Sequence, residues 1–225
     1  MGRIFRAAAL FSLFLLLFPG FSNGTEEALP SLITGIQEKY GAMPALSVPY
    51  TREVITRSMS MLGDQMRGDQ ASGQLLFKAP YGLRLEQELP ERELIVADHD
   101  TLWWYVPGKG RAYRYDLDTF GRELRLISDV FRGLTRLEKN FRLTLLEPGR
   151  ALEHRIELRP DPPWSEVERM VLTVDCSYVI RVLEIYNPLG GVTRFTLGAL
   201  TVRNDLSDDL FRFVPPDGVR VMEGR

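Results

Sequence analysis

SGQLLFKAPYGLRLEQELPERELIVADHDTLWWYVPGKGRAYRYD, residues 72–116, is the stretch whose reading decides the fold. It breaks into four or five short runs in which apolar and polar residues alternate, the period of antiparallel strands. Taking Pro90-Glu91 as a two-residue turn sets Leu85 opposite Val96 and Gln87 opposite Leu94. Taking His99-Asp100 as the next turn sets Val96 opposite Trp103 and Leu94 opposite Tyr105. Taking Pro80-Tyr81-Gly82 as a three-residue loop sets Phe77 opposite Leu85 and Ala79 opposite Leu83. One face then carries Leu75, Phe77, Leu83, Leu85, Leu94, Val96, Trp103 and Tyr105. The other carries Gln74, Lys78, Arg84, Glu86, Glu88 and Glu93, interrupted by Leu76, Ile95 and Trp104. Such a meander has one greasy face that needs a cover.

Working outward, residues 1–24 open on Arg3 and Arg6, run apolar from Ala7 to Phe18, break at Pro19-Gly20 and end in small residues. The run is short for a membrane span, and the pattern is that of a secretory signal peptide. The expected organisation is therefore a signal peptide over 1–24 and one domain over 25–225. Charges are balanced, with 28 Lys and Arg against 30 Asp and Glu, and no basic tract points to nucleic acid. Cys176 is the only cysteine, so no internal disulfide can form; His99 and His154 are the only histidines, which excludes a multi-histidine metal site.

Residues 26–40 read as a helix with Leu32, Ile36 and Tyr40 on one stripe, followed by a strand over 46–61. After the meander, DTFGRELRLISDVFRGLTRLEKN (118–140) is an amphipathic helix whose stripe is Phe120, Leu124, Ile127, Phe131 and Leu134. Strands resume at 141–146, 152–159, 168–175, 178–186 and 191–202, with a short element at 208–213 and a tail from Pro215. The helices are not spaced as βαβ units, which argues against a parallel sheet. The expected fold is α+β: one curved antiparallel sheet of about ten or eleven strands with helices on its concave side.

The sequence holds no nucleophile elbow, phosphate-binding glycine loop or zinc-ligand spacing, so no enzyme, metal or cofactor is expected. Asp98-His99-Asp100 is read as a turn, and Met59, Met61 and Met66 as adaptable apolar surface rather than a soft-metal site. Trp164 is either a surface plug or a partner contact. Periodicity leaves open whether the apolar face is a filled core or a ligand cavity, because both are built from the same residue types.

Four pieces in order resemble the periplasmic outer-membrane lipoprotein carriers of the LolA type. They are Val48-Pro49-Tyr50-Thr51-Arg52 after the first helix, Gly73-Gln74-Leu75 through Lys78-Ala79-Pro80, Leu94 to Asp98 with Thr101 to Pro107, and Phe211-Arg212-Phe213-Val214-Pro215-Pro216-Asp217-Gly218-Val219. The resemblance implies an open half-barrel with a helical lid over an apolar cavity. It implies a periplasmic carrier that shelters lipoprotein acyl chains. Such a carrier takes cargo from an ATP-driven inner-membrane releasing complex and hands it on at the outer membrane, in many species to a lipid-anchored acceptor. The lid would be the 118–140 helix, and the cavity wall the greasy face listed above, with Leu83 at its rim. One position departs from the pattern. Where the family has an inward arginine that hydrogen-bonds the lid, this chain has Ala79, and Arg52 is the candidate substitute. Two other readings stay open: a periplasmic binder or sensor of another lipid on the same fold, and a filled-core adaptor domain. A monomer is the default expectation.

Overall fold

The computed structural model describes residues 28–61, 68–97, 100–116, 122–132, 140–147 and 153–224. The expected signal peptide, Asp98-His99, Met66, Phe120 and Leu134 lie outside them. Among the described residues no helix is long and apolar enough to cross a membrane.

Helix α1 (Ala28–Gly41) leads into β1 (Ala45–Ile55) and a helical turn α2 (Arg57–Met61). The expected strand over 46–61 therefore ends at Ile55. The meander is β2 (Asp69–Lys78), β3 (Gly82–Leu89), β4 (Glu93–Ala97), β5 (Thr101–Val106) and β6 (Arg111–Asp116). Helix α3 (Arg122–Phe131) lies within the expected lid range. Then come β7 (Phe141–Leu146), β8 (His154–Pro160), β9 (Arg169–Val174), β10 (Ile180–Tyr186), β11 (Val192–Leu197), β12 (Thr201–Val202) and β13 (Arg220–Glu223). The expected strand over 191–202 is split, because Gly198 and its neighbours leave β11 before β12 resumes pairing with the start of β1.

The thirteen strands among the described residues form one open sheet in the order β13-β6-β5-β4-β3-β2-β1-β11-β10-β9-β8-β7, with β12 also on β1. The half-barrel architecture expected from the sequence is present. Its pivot is β1, which pairs with β2 on one side and β11 on the other, joining two meanders that are distant in sequence. The tail holds a strand the sequence reading missed: β13 runs parallel to β6 and caps the edge of the sheet.

Register decides which face each side chain occupies. The β2–β3 pairing sets Leu75 against Leu85 and Phe77 against Leu83, two residues from the expected register, so the facing is unchanged. The last β3–β4 pair is Gln87 with Glu93, so the unpaired connection is residues 88–92, an odd number, rather than the two-residue Pro90-Glu91 turn. Leu85 therefore pairs with Ile95, and Arg84 with Val96. A one-residue change turns every later side chain over. The β4–β5 register is as expected, with Val96 opposite Trp103 and Leu94 opposite Tyr105, but it inherits the inversion.

The concave face is one continuous core. It includes Leu46, Val48, Leu75, Phe77, Leu83, Leu85, Leu172 and Leu183 from the strands, with Leu32, Ile36 and Tyr40 of α1 and Ile127, Val130 and Phe131 of α3. The convex face differs between the two halves of the sheet. Over β8 to β11 and β1 it is a charge ladder, in which Arg194 bridges Glu53 and Glu184, and Arg155 also meets Glu184. Over β2 to β5 it is apolar and covered by the tail: Leu76 packs with Leu206 and Phe211, and Phe213 sits 5.4 Å from both Trp103 and Tyr105. Lys78 and Arg84 fasten that tail by donating to the carbonyls of Leu206 and Leu210.

Candidate functional site

The concave face is filled at one end and hollow at the other. At the filled end Tyr40, Phe77 and Phe131 meet at about 6 Å, with ring centroids 6.1 Å and 6.0 Å apart. At the other end a cavity of about 220 Å³ is bounded by Tyr50, Arg52 and Val54 of β1, Leu85 and Gln87 of β3, Glu93 and Ile95 of β4, Ile185 of β10, Thr193 and Phe195 of β11, and Ile127 of α3. The alternation of β1 places Tyr50 and Arg52 on the same side as Leu46 and Val48. Gly73, opposite Tyr50, sits where β3 closes in: an added Cβ would come within 1.9 Å of the Glu86 carbonyl oxygen. Ala71, opposite Arg52, keeps the wall low beside the guanidinium.

The expected wall residues fall into two groups. Leu75, Phe77, Leu83 and Leu85 are buried on the concave side, and Leu85 borders the cavity. Leu83 was expected at a rim, but it is fully buried, because it pairs with Phe77 under the helices. Leu94, Val96, Trp103 and Tyr105 are a correction: the β3–β4 register places them on the convex side, against or beside the tail. Their places inside are taken by Glu93, Ile95, Ala97, Leu102 and Trp104. The apolar residues that interrupted the polar face of the sequence pattern, Ile95 and Trp104, were the signal of that inversion. Of the expected lid stripe, Ile127 and Phe131 are buried against the sheet; Leu124 falls within α3 but its side chain is outside the described ones.

Ala79 lies beyond the end of β2, in the 79–81 turn, and is exposed rather than inward; its backbone N–H donates to the Pro44 carbonyl. The Arg52 Nε is buried with no hydrogen-bond partner among the described residues. Glu93 and Gln87 of the lining are hydrogen-bonded. The Trp104 indole N–H donates to Glu93 Oε2 at 3.0 Å, and the Gln87 amide donates to the Glu91 carbonyl at 3.0 Å. Burial pushes the Tyr50 hydroxyl above its usual range, against the nearby positive charge of Arg52 and with the negative charge of Glu93.

Trp164 is an edge plug: its ring meets Phe141 edge-on at 5.2 Å and closes the core beside β7. Cys176 is exposed and free in the β9–β10 turn, and among the described residues no cluster of three His, Cys, Asp or Glu could hold a metal.

The family model described as "Outer membrane lipoprotein carrier protein LolA" matches residues 61–214. An outer-membrane lipoprotein carrier protein of Nitrosospira multiformis is 30% identical over 153 residues, covering 68% of this chain and 72% of that one. The protein of the same name from Haemophilus influenzae is 24% identical over 200 residues, covering 88% of this chain and 90% of its own length. In fold alone, the chain is similar to a DUF1329 family protein from Desulfovibrio piger, with a TM-score of 0.50 at 12% identity, covering 83% of this chain and 96% of the other.

Proposed function

We propose that this chain, which belongs to the LolA family of outer membrane lipoprotein carriers, is a periplasmic carrier that holds lipoprotein acyl chains on its concave face. The observation that carries the reading is the apolar cavity left between the sheet and Ile127 of α3, at the end of a face that is otherwise packed. Each methylene moved out of water contributes about 0.8 kcal/mol, so an apolar trough is sufficient for binding and no bond chemistry is needed.

The size of the cavity says how loading proceeds. At about 220 Å³ it is smaller than the roughly 300–1,000 Å³ of pockets that enclose a whole small ligand. An acyl chain enters only as α3 lifts and surrenders its contacts with Phe77 and Tyr40. Cargo then replaces one apolar neighbour with another, a near-balanced exchange that also permits release. Cargo arrives from an inner-membrane ATP-driven releasing complex and leaves to an outer-membrane acceptor; the chain itself transfers no group. Its N-terminal 24 residues direct export.

Mass spectrometry of the protein purified from periplasm should find acylated lipoprotein bound to it, and depletion should strand outer-membrane lipoproteins at the inner membrane. Free lipid or phospholipid as the sole bound material would favour the alternative lipid binder. Lipoproteins correctly placed after depletion would end the carrier reading.

A further inference from the structure

Arg52 stands out among the charged residues of the concave face. Its neighbours across the strands are Phe195 and Ala71, and it borders the cavity beside Tyr50 and Ile95. A guanidinium stays protonated at any pH the fold survives, so it cannot relieve burial by losing its charge. Buried donors are nearly always paired, yet the Arg52 Nε has no partner among the described residues. Glu93, the carboxylate that shares the cavity lining, already accepts the Trp104 indole N–H. A purely apolar occupant of the cavity would strip water from this donor and leave it bare, which is costly. An occupant with an acceptor oxygen at the height of Arg52 would satisfy it.

We propose that Arg52 is a polar anchor within the apolar cavity, donating from Nε to the carbonyl oxygen of a bound acyl group. The site thus takes acyl chains that carry a carboxylate or an ester carbonyl at their head, with the chain running along Leu85, Ile95 and Ile127 and the carbonyl beside β1. This rests on the carrier reading above and deepens it by setting the depth and direction in which an acyl chain lies. Arg52 fixes the head; the lid closes over the chain.

The test uses the mature wild-type protein and Arg52→Met, which keeps the length and apolar stem of the side chain. Palmitate, methyl palmitate and hexadecane compete for a neutral naphthylamine dye held in the cavity. The substitution is expected to weaken carbonyl-bearing ligands by about tenfold, in line with loss of one charge-assisted hydrogen bond, and to leave hexadecane unchanged. A loss with both palmitate and its ester identifies an ester carbonyl as sufficient; a loss with palmitate alone identifies the free carboxylate. Equal effects on all three ligands, or none, overturn the anchor. Displacement of the dye by none of them from wild type instead overturns the carrier reading. Should Arg52→Met fail to fold, the wild-type Arg52 Nε–H resonance serves: it should move downfield with methyl palmitate or palmitate and stay put with hexadecane, and an unmoved signal with all three overturns the proposal.

Discussion

Helices α1 and α3 lie on the same face of the same sheet, yet they are fastened to it differently. α1 presents Leu32, Ile33, Ile36 and Tyr40, all buried, and is pinned at the β9–β10 turn. There the Ile180 backbone N–H donates to the Tyr40 hydroxyl oxygen at 3.0 Å. The ring of Tyr178 lies against Gly35 so closely that an added Cβ would come within 2.4 Å of it. The turn is itself braced, because Asp175 accepts the N–H groups of Ser177 and Val179 and pairs with Arg181. α3 rests on Phe131 against Tyr40 and Phe77, on Ile127 over a void, and on the Arg132 guanidinium 4.9 Å above the Tyr81 ring. Ring contacts and dispersion have no fixed direction, so they can be exchanged for an acyl chain; a buried hydrogen bond under a tight glycine contact cannot. On the proposed carrier reading, α1 is the floor of the trough and α3 the part that moves.

The largest effect expected from breaking this contrast is on α1. Ile36 is fully buried, and Ile36→Ala should cost about 2–5 kcal/mol in urea unfolding without changing dye affinity. Ile127→Ala should cost nearer the lower end, about 2 kcal/mol, because that side chain already borders empty space, and it should tighten binding of a neutral dye by enlarging the cavity. Equal losses with no gain in binding would remove the distinction between the helices.

Tyr40→Phe leaves the Ile180 N–H without its acceptor and should cost about 1–3 kcal/mol, read as faster hydrogen exchange at that amide. Burial pushes the Tyr40 hydroxyl up to about 12, against the hydrogen bond from Ile180. Since the folded value lies above the unfolded one, this contribution is full below pH 10 and is lost as pH rises toward about 12. Tyr40→Phe should flatten that alkaline decline in a melting series.

Arg132→Ala should change global stability by only about 0.5–1 kcal/mol while raising amide exchange along α3 and leaving α1 unchanged. The smallest effect is one that acid removes. Although burial opposes its charge, hydrogen bonds from Val179, Ser177 and Arg181 hold the Asp175 carboxyl below the usual range. Its stabilisation is therefore present above the unfolded value of 3.8 and disappears as pH falls through the lower folded one. Wild type and Asp175→Asn should differ at neutral pH and converge in strong acid.

The two meanders also show what a sequence pattern conveys. In β8 alternation put Ile156 and Leu158 where reading by twos expects them, and the polar partners Arg155 and Glu157 fall on the convex side. In β4 and β5 both faces are apolar, Ile95, Leu102 and Trp104 inward and Leu94, Val96, Trp103 and Tyr105 outward, so alternation lost its meaning. There facing depended on a one-residue difference in the β3–β4 register, which no local preference resolves. The cavity was legible only in part for the same reason: Leu85 and Ile127 follow from pattern, whereas Tyr50, Gln87, Thr193 and Phe195 come together through the β1–β11 pairing.

By itself the sequence determined the α+β class, the strand-rich order around two amphipathic helices, the greasy face and, through its four matching segments, the family. These are local properties: side-chain periodicity, turn chemistry and short motifs, each readable within a few residues. Only the tertiary structure decided that Leu94, Val96, Trp103 and Tyr105 face the tail, that β13 caps the sheet edge, and that the Arg52 Nε, beside a void, has no partner among the described residues. Those facts depend on pairings between strands far apart in the chain, where one residue of register inverts a face and the space left over belongs to no single segment.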